Sequence, residues 1–328
     1  MSTYRTAWRT ALAATAMSTA VLLSACSSTG PGRDQAAASQ AAKPAETSPA
    51  GASDGQQALQ PPLTTQIHTP AEPAAFSTPS VLVMGRDEAI LIDAQFSTAD
   101  AGKLVERIRA SGRKLTTIYI SHGRPEYYFG LDALKTAFPE ARVVATPQTV
   151  ATIRANKDVD LKAWGAQLGA QAPRRIIVPE VLEADRLKLD RQTLRIIGLD
   201  GPDPSRTVVW IPSIRMVAGG ALVTAGEHVW MADSRSARSR QQWLEMLVRI
   251  RELEPDIVVP GHHVPGADLD LGAVQFTADY VRAFDEALER TRNAAALADA
   301  MQERFPHLHG LGTLDISTRV AKGEMAWP

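Results

Sequence analysis

Short apolar runs recur along residues 76–266, and polar turns separate them. Runs of β-branched and apolar residues bounded by Gly, Pro, Asp or Asn are typical of strands. The predicted strands cover residues 80–84, 89–93, 116–120, 142–145, 174–178, 193–197, 207–211, 215–218 and 256–259. Other segments carry apolar residues at helical spacing, as at Leu104, Val105 and Ile108. The predicted helices cover residues 99–110, 131–138, 149–167, 239–253 and 273–302.

Strands and helices are mixed in both halves of this region. Two α/β halves whose helices lie outside the strands suit an αββα sandwich with two mixed sheets. We therefore predict an α/β domain over residues 76–270. The helical pattern that follows predicts a C-terminal extension, residues 271–328, packed on that domain.

The N-terminus has the pattern of a bacterial lipoprotein signal peptide. Arg5 and Arg9 precede a short apolar stretch, and Leu23-Ser24-Ala25-Cys26 matches a lipobox. This resemblance implies cleavage after residue 25 and lipid on Cys26, and several acyl chains hold a protein stably on a membrane. Ser27 after the cysteine implies an outer-membrane lipoprotein facing the periplasm. An ordinary secretory signal with a chance cysteine is the alternative.

Composition places limits on the rest of the chain. Residues 26–75 are rich in Ala, Pro and Ser and predict a disordered tether. The whole chain has 328 residues, a net charge of −1 and one cysteine. The charge balance gives no reason to expect a nucleic-acid partner, and the single cysteine excludes a disulfide framework and a thiolate zinc cluster.

Candidate chemistry lies where the strand predicted at 116–120 ends. The chain continues there as Ser121-His122-Gly123-Arg124-Pro125-Glu126-Tyr127. Loops at the carboxyl ends of strands are where α/β proteins build their sites. The six residues from His122 resemble the H-x-H-x-D-H motif of the metallo-β-lactamase superfamily. That resemblance implies the αββα fold and a two-metal hydrolase site.

Carried over by position, few of the family's ligands remain. His122 matches the first motif histidine, and His262 in Pro260-Gly261-His262 matches the family's last histidine. Three motif positions are changed: Arg124 replaces a histidine, Glu126 an aspartate and Tyr127 a histidine. The later-loop histidine is missing, with Asp200 the closest candidate, and Gly219-Gly220 stands where the bridging aspartate is expected.

Two interpretations of this site stay open. In the first, His122, Glu126 and His262, with Asp200, hold one zinc or another divalent metal, and Glu126 takes part in catalysis. In the second, no cofactor binds. The permanent charge of Arg124 opposes a dication and pairs with Glu126 near Asp200. That ion pair is either purely structural or part of an anion pocket formed by Arg124, His122, His262, Tyr127 and His228.

These observations predict an envelope lipoprotein with a degraded dinuclear site. We expect it to be non-catalytic or altered, and to bind a small anionic ligand or an envelope protein. The alternative is a single-metal hydrolase of esters, lactams or thioesters. A purely structural envelope protein would be favoured by a cleft filled with side chains. The resemblance also implies that Asp93 braces the motif loop.

Overall fold

Two mixed β-sheets lie face to face between helices in the computed structural model, which describes residues 62–70 and 76–327. The first sheet contains six strands in chain order: β1 (Thr64–His68), β2 (Ser80–Met84), β3 (Glu88–Ile92), β4 (Lys114–Ile120), β5 (Arg142–Ala145) and β6 (Glu180–Val181). Strands β1 to β3 pair antiparallel, and β3 to β6 pair parallel. The parallel strands therefore bring their carboxyl ends to one edge.

The second sheet contains five strands: β7 (Arg186–Leu189), β8 (Gln192–Ile197), β9 (Val208–Ile211), β10 (Met216–Ala218) and β12 (Ile257–Val258). Their order across the sheet is β12-β10-β9-β8-β7. A further pair of short strands, β11 (Thr224–Ala225) and β13 (His262–His263), runs parallel beside it. Within the five-stranded sheet β10 and β12 are parallel, and the other neighbours are antiparallel.

Helices cover the outer faces of both sheets. Along the first sheet these are α1 (Thr98–Ala110), α2 (Pro125–Tyr128), α3 (Leu131–Ala137) and α4 (Pro147–Leu168). The second sheet is covered by α5 (Ala237–Glu252), α6 (Leu271–Arg290), α7 (Ala294–Arg304) and α8 (Leu311–Ala321). Short 3-10 segments occupy Gly169–Gln171 and Pro212–Ile214.

Successive residues of a strand point to opposite faces of its sheet, so they pack into different apolar layers. In β3, Ile90 and Ile92 face the other sheet, while Leu91 faces α1 and α3. In β9, Val209 faces the first sheet and Trp210 faces the helices α5 and α6. Three apolar cores result, one between the sheets and one under each helical layer. The predicted αββα sandwich is confirmed.

The tether prediction is wrong at its C-terminal end. Residues 64–68, assigned to the tether, form β1, and Leu63 beside it is only 3% exposed in the core between the sheets. The β-branched residues of Leu63-Thr64-Thr65-Gln66-Ile67 carried that strand signal. The signal peptide, Cys26 and the tether residues 27–61 and 71–75 lie outside the described residues. Within the described part, no helix is long and apolar enough to cross a membrane.

Two of the predicted elements also differ in the structure. Residues 174–178 are not a strand, because Arg174 and Arg175 are held by the carboxylate of Asp132 and the apolar residues after them pack under the helices. The helix predicted over 273–302 is two helices. Asn293 separates them, since its side chain caps α7 by accepting from the Ala296 N–H.

Candidate functional site

Asp93, Ser121 and Gly220 connect three strand ends below the site. The Asp93 carboxylate accepts hydrogen bonds from the Ser121 N–H (2.8 Å) and the Ser121 hydroxyl (2.6 Å). The Gly220 N–H donates to the same Ser121 oxygen at 2.7 Å, which joins the two sheets. Burial raises the pKa of Asp93 to about 7. Asp93 thus braces the loop that carries His122, as the family resemblance implied.

Tyr127 packs against both histidines of the predicted site. Its ring centroid lies 5.2 Å from that of His122 and 6.0 Å from that of His262. Its hydroxyl lies 3.1 Å from Nε2 of His262 and shares a hydrogen bond with it. The Tyr127 side chain is 1% exposed, so this ring fills space rather than reaching solvent. Tyr127 lies in the one-turn helix α2, which begins at Pro125 immediately after the loop.

Both histidines are neutral at physiological pH. Burial lowers the pKa of His122 to about 3, and the positive charges of Arg124 and Arg206 act in the same direction. Burial lowers the pKa of His262 to about 4. The buried Nδ1 of His122 has no hydrogen-bond partner in the part of the chain that the structure describes.

The Glu126 carboxylate lies near the same histidine nitrogen as the Tyr127 hydroxyl. Its Oε1 is 3.9 Å from Nε2 of His262, and Glu227 lies at the same distance from Nδ1 of that histidine. Burial raises the pKa of Glu126 to about 7, and the charges of Asp233 and Asp160 add to this effect while Arg124 opposes it. The Glu126 carboxyl is therefore partly protonated at neutral pH.

Arg124 pairs with Asp233, not with Glu126 or Asp200 as predicted. Its guanidinium donates to Oδ1 of Asp233 and lies 5.4 Å from the ring centroid of Trp327. Asp233 also accepts the indole N–H groups of Trp327 (2.8 Å) and Trp230 (3.2 Å). Burial opposes the charged form of Asp233, but Arg124 and the indole N–H of Trp327 outweigh it, so the pKa of Asp233 lies below its usual value. We call Arg124, Trp230, Asp233 and Trp327 the Asp233 cluster.

The sequence did not point to Asp233 or to Arg206. Arg206 is largely buried, with its guanidinium 4.5 Å from the ring centroid of Trp243 and a 2.5 Å hydrogen bond to the Ser234 hydroxyl. Its charge acts on both His122 and Asp233. No local motif marks Arg206, which follows the loop after β8. The nearby Trp230 is a local feature that could have drawn attention to Asp233.

Two predicted site residues lie elsewhere. The Asp200 carboxylate is 79% exposed and makes two hydrogen bonds to Arg249, at 2.9 and 3.0 Å. His228 does not line the cleft: its Nδ1 lies 2.9 Å from the Tyr280 hydroxyl, in the helical layer under α6. The loop that holds Asp200 lies beside α5, which carries Arg249. Tyr280 reaches His228 because α6 packs against β11. His263 contacts Thr69 at 3.3 Å.

Gly219-Gly220 has no room for a carboxylate side chain. Gly220 has φ +78°, and a Cβ there would lie 2.1 Å from the Thr207 carbonyl oxygen. Only glycine adopts that backbone without strain. The position expected for the bridging aspartate is thus closed by the backbone itself.

The family's metal centre does not fit the residues present. A catalytic zinc site needs three protein ligands, and among residues 62–70 and 76–327 no three His, Cys, Asp or Glu side chains are placed to hold a metal ion. Nε2 of His262 is already hydrogen-bonded to Tyr127. The cation of Arg124 also lies beside His122. The predicted set of His122, Glu126, His262 and Asp200 is therefore not assembled.

The fold and the site define an αββα protein with a candidate site at its strand ends. A profile of the metallo-β-lactamase superfamily matches residues 74–262, and the chain belongs to that superfamily. No curated protein matches the chain. Members of this superfamily usually bind zinc.

Solved structures agree on the fold. A metallo-β-lactamase family protein from Thermus thermophilus is similar with a TM-score of 0.58 and 17% identity, covering 80% of this chain and 93% of that one. A β-lactamase domain protein from Burkholderia ambifaria is similar with a TM-score of 0.55 and 16% identity, covering 79% of this chain and 84% of that one. A metallo-β-lactamase from Pontibacter korlensis is similar with a TM-score of 0.51 and 17% identity, covering 66% of this chain and 94% of that one. Because the identities are this low, these comparisons show a likeness of fold and nothing further.

Proposed function

We propose that this chain is a lipid-anchored binding protein of the bacterial envelope, in which side chains replace the metal centre of its superfamily. The contact of Tyr127 with both His122 and His262 carries this proposal, because the tyrosine hydroxyl takes the nitrogen that a metal would need. The protein then works without metal-dependent hydrolysis.

The charges around Arg124 favour a protein partner over a small anion. Asp233 already neutralises the Arg124 guanidinium, and Glu126 and Asp160 add further negative charge nearby. An incoming carboxylate or phosphate would have to displace Asp233 and approach these acids. A peptide surface offers neutral hydrogen-bond donors and aromatic groups. These groups can contact Arg124 and Asp233 without bringing a further negative charge.

The test is a zinc titration of the full mature protein, followed by elemental analysis after dialysis. We expect less than one equivalent of zinc at micromolar concentrations, because the ligand set is incomplete. Tyr127→His should raise zinc affinity at least ~10-fold, since it frees His262 and adds a donor. Tyr128→His is the matched control: it adds a histidine in the same helix, where the hydroxyl now contacts Asp160 at 3.2 Å.

The single-metal hydrolase remains the second candidate. It is favoured by one observation, the partly protonated Glu126 carboxyl 3.9 Å from His262. It predicts stoichiometric metal in the unmodified protein, and hydrolysis of β-lactam, lactone or thioester probes that His262→Ala abolishes. That result would replace our proposal.

Lipid attachment is tested separately. Cys26→Ser should leave an uncleaved or soluble protein and abolish membrane association, because the acyl chains are then absent. The measurement is partitioning of the protein between membrane and soluble fractions after a high-salt wash. Persistence of the variant in the membrane fraction would remove the lipobox from the proposal.

A further inference from the structure

The C-terminal tail, residues 322–327, is fixed to the helices through Met325 and then extends to the Asp233 cluster. Glu324 accepts the Ala294 N–H at 2.8 Å, and the Met325 N–H donates to the Arg319 carbonyl at 3.2 Å. Beyond Met325, Arg235 donates to the Trp327 carbonyl at 3.3 Å. Ala326 is exposed.

Three kinds of contact join the indole of Trp327 to other residues of the Asp233 cluster. Its N–H donates to Asp233 at 2.8 Å, the Arg124 guanidinium lies 5.4 Å from its ring centroid, and the Trp230 ring packs edge-on at 5.1 Å. A hydrogen bond to a carboxylate is stronger than one between neutral groups. An aromatic face beneath a guanidinium is also attractive. The combination recognises an aromatic ring that carries an N–H donor.

Trp327 lies beyond α8, the last helix among the described residues. Helix α8 ends at Ala321, four residues before Met325, so Trp327 can leave without opening a helix. The side chains of Arg124 and Asp233 are 28% and 26% exposed even with Trp327 in place. The remaining three residues of the cluster therefore line a surface that solvent and a partner can reach.

We propose that Arg124, Trp230 and Asp233 form an indole-binding site, which Trp327 fills in the isolated chain and which takes a tryptophan-bearing peptide segment from a partner. This inference rests on the proposed function, which it deepens by naming the partner's chemistry. A tethered segment competes at an effective concentration in the millimolar range, so an outside peptide binds weakly until the tail is displaced. Removing the Trp327 side chain should expose the site.

The test uses the full chain with Trp327→Ala and two probes, indole and 1-methylindole, measured by calorimetry or ligand-observed NMR. We expect indole to bind the variant at least ~10-fold more tightly than 1-methylindole, since only indole donates to Asp233. The unmodified protein should bind neither probe at the same concentrations. Adding Asp233→Asn to the variant should reduce the preference for indole.

A peptide copying residues 322–328 supplies a second measurement that needs no variant. Titrated to concentrations above the millimolar effective concentration of the tethered tail, it should move the Trp327 indole N–H resonance of the unmodified protein towards that of a free tail, and the same peptide with alanine for tryptophan should not. Equal binding of indole and 1-methylindole, or no peptide response, would overturn the inference. Zinc content of the same samples separates this outcome from failure of the proposed function.

Discussion

Gly220→Asp is expected to lose more than ~3 kcal/mol of unfolding free energy, because it combines left-handed backbone strain with a steric clash. A Cβ at this position would lie 2.1 Å from the Thr207 carbonyl oxygen, at a φ of +78°. The Gly220 carbonyl is equally crowded, since a Cβ on Gly261 would approach it to 1.9 Å. Neither neighbour can give way, as both are backbone groups inside the fold.

Urea unfolding measures this effect, and Gly312→Ala is its control. Gly312 lies in α8, and a Cβ added there would meet no atom within 4 Å, so alanine should stabilise the protein by about 0.5 to 1 kcal/mol. Equal unfolding curves for Gly220→Asp and the unmodified protein would show that this turn can rearrange. The bridging carboxylate of the superfamily could then be restored by a single substitution.

Asp93→Ala should cost about 3 to 5 kcal/mol, whereas Asp93→Asn should cost about 1 to 2 kcal/mol. Alanine leaves the buried N–H of Ser121 without its acceptor and places an ordinary residue at φ 64°. Asparagine keeps an acceptor oxygen and tolerates the left-handed region. The unfolding free energies of both variants, measured in urea at one pH, test this order, and equal losses would contradict it.

Comparing the unmodified protein with Asp93→Asn at several pH values reports the protonation of Asp93. Its pKa in the fold is raised to about 7 from the usual 3.8, so the protonated form is favoured by folding. Its contribution is complete below pH ~4 and is lost as the pH rises through 7. The stability advantage of the unmodified protein over Asp93→Asn should therefore shrink between about pH 4.5 and 7.5. Ser111→Ala, a change on the far end of α1, is the control for general pH effects.

The layers of the fold follow from the sequence because short apolar runs are bounded by polar turns. Residues 89–92 form such a run after the turn at residues 85–88, which is typical of a strand buried on both faces, and in the structure Ile90 and Ile92 face the other sheet while Leu91 faces the helices. Short strands carry too few residues for such a pattern. The two residues of β6 were consequently missed, and a nearby apolar run was assigned instead.

The site was predictable only where a motif existed. His122, Tyr127 and His262 do lie together, since the segment after β4 of the first sheet and the segment after β12 of the second sheet meet there. The partner of Arg124 was not predictable, because Asp233 lies 109 positions further along the chain and many carboxylates, Glu126 and Asp200 among them, are nearer in the sequence. Choosing among several acids for one cation requires distances that a sequence does not contain.

The edge strand β1 decides where a soluble fragment of this protein can begin. The superfamily match starts at residue 74, but β1 makes five residue pairings with β2 and brings Leu63 into the core between the sheets. A fragment that starts at residue 74 would leave the β2 edge unpaired, and exposed strand edges promote association between molecules. Recombinant material that begins ahead of residue 62 keeps this edge covered and is the form suited to crystallisation and binding measurements.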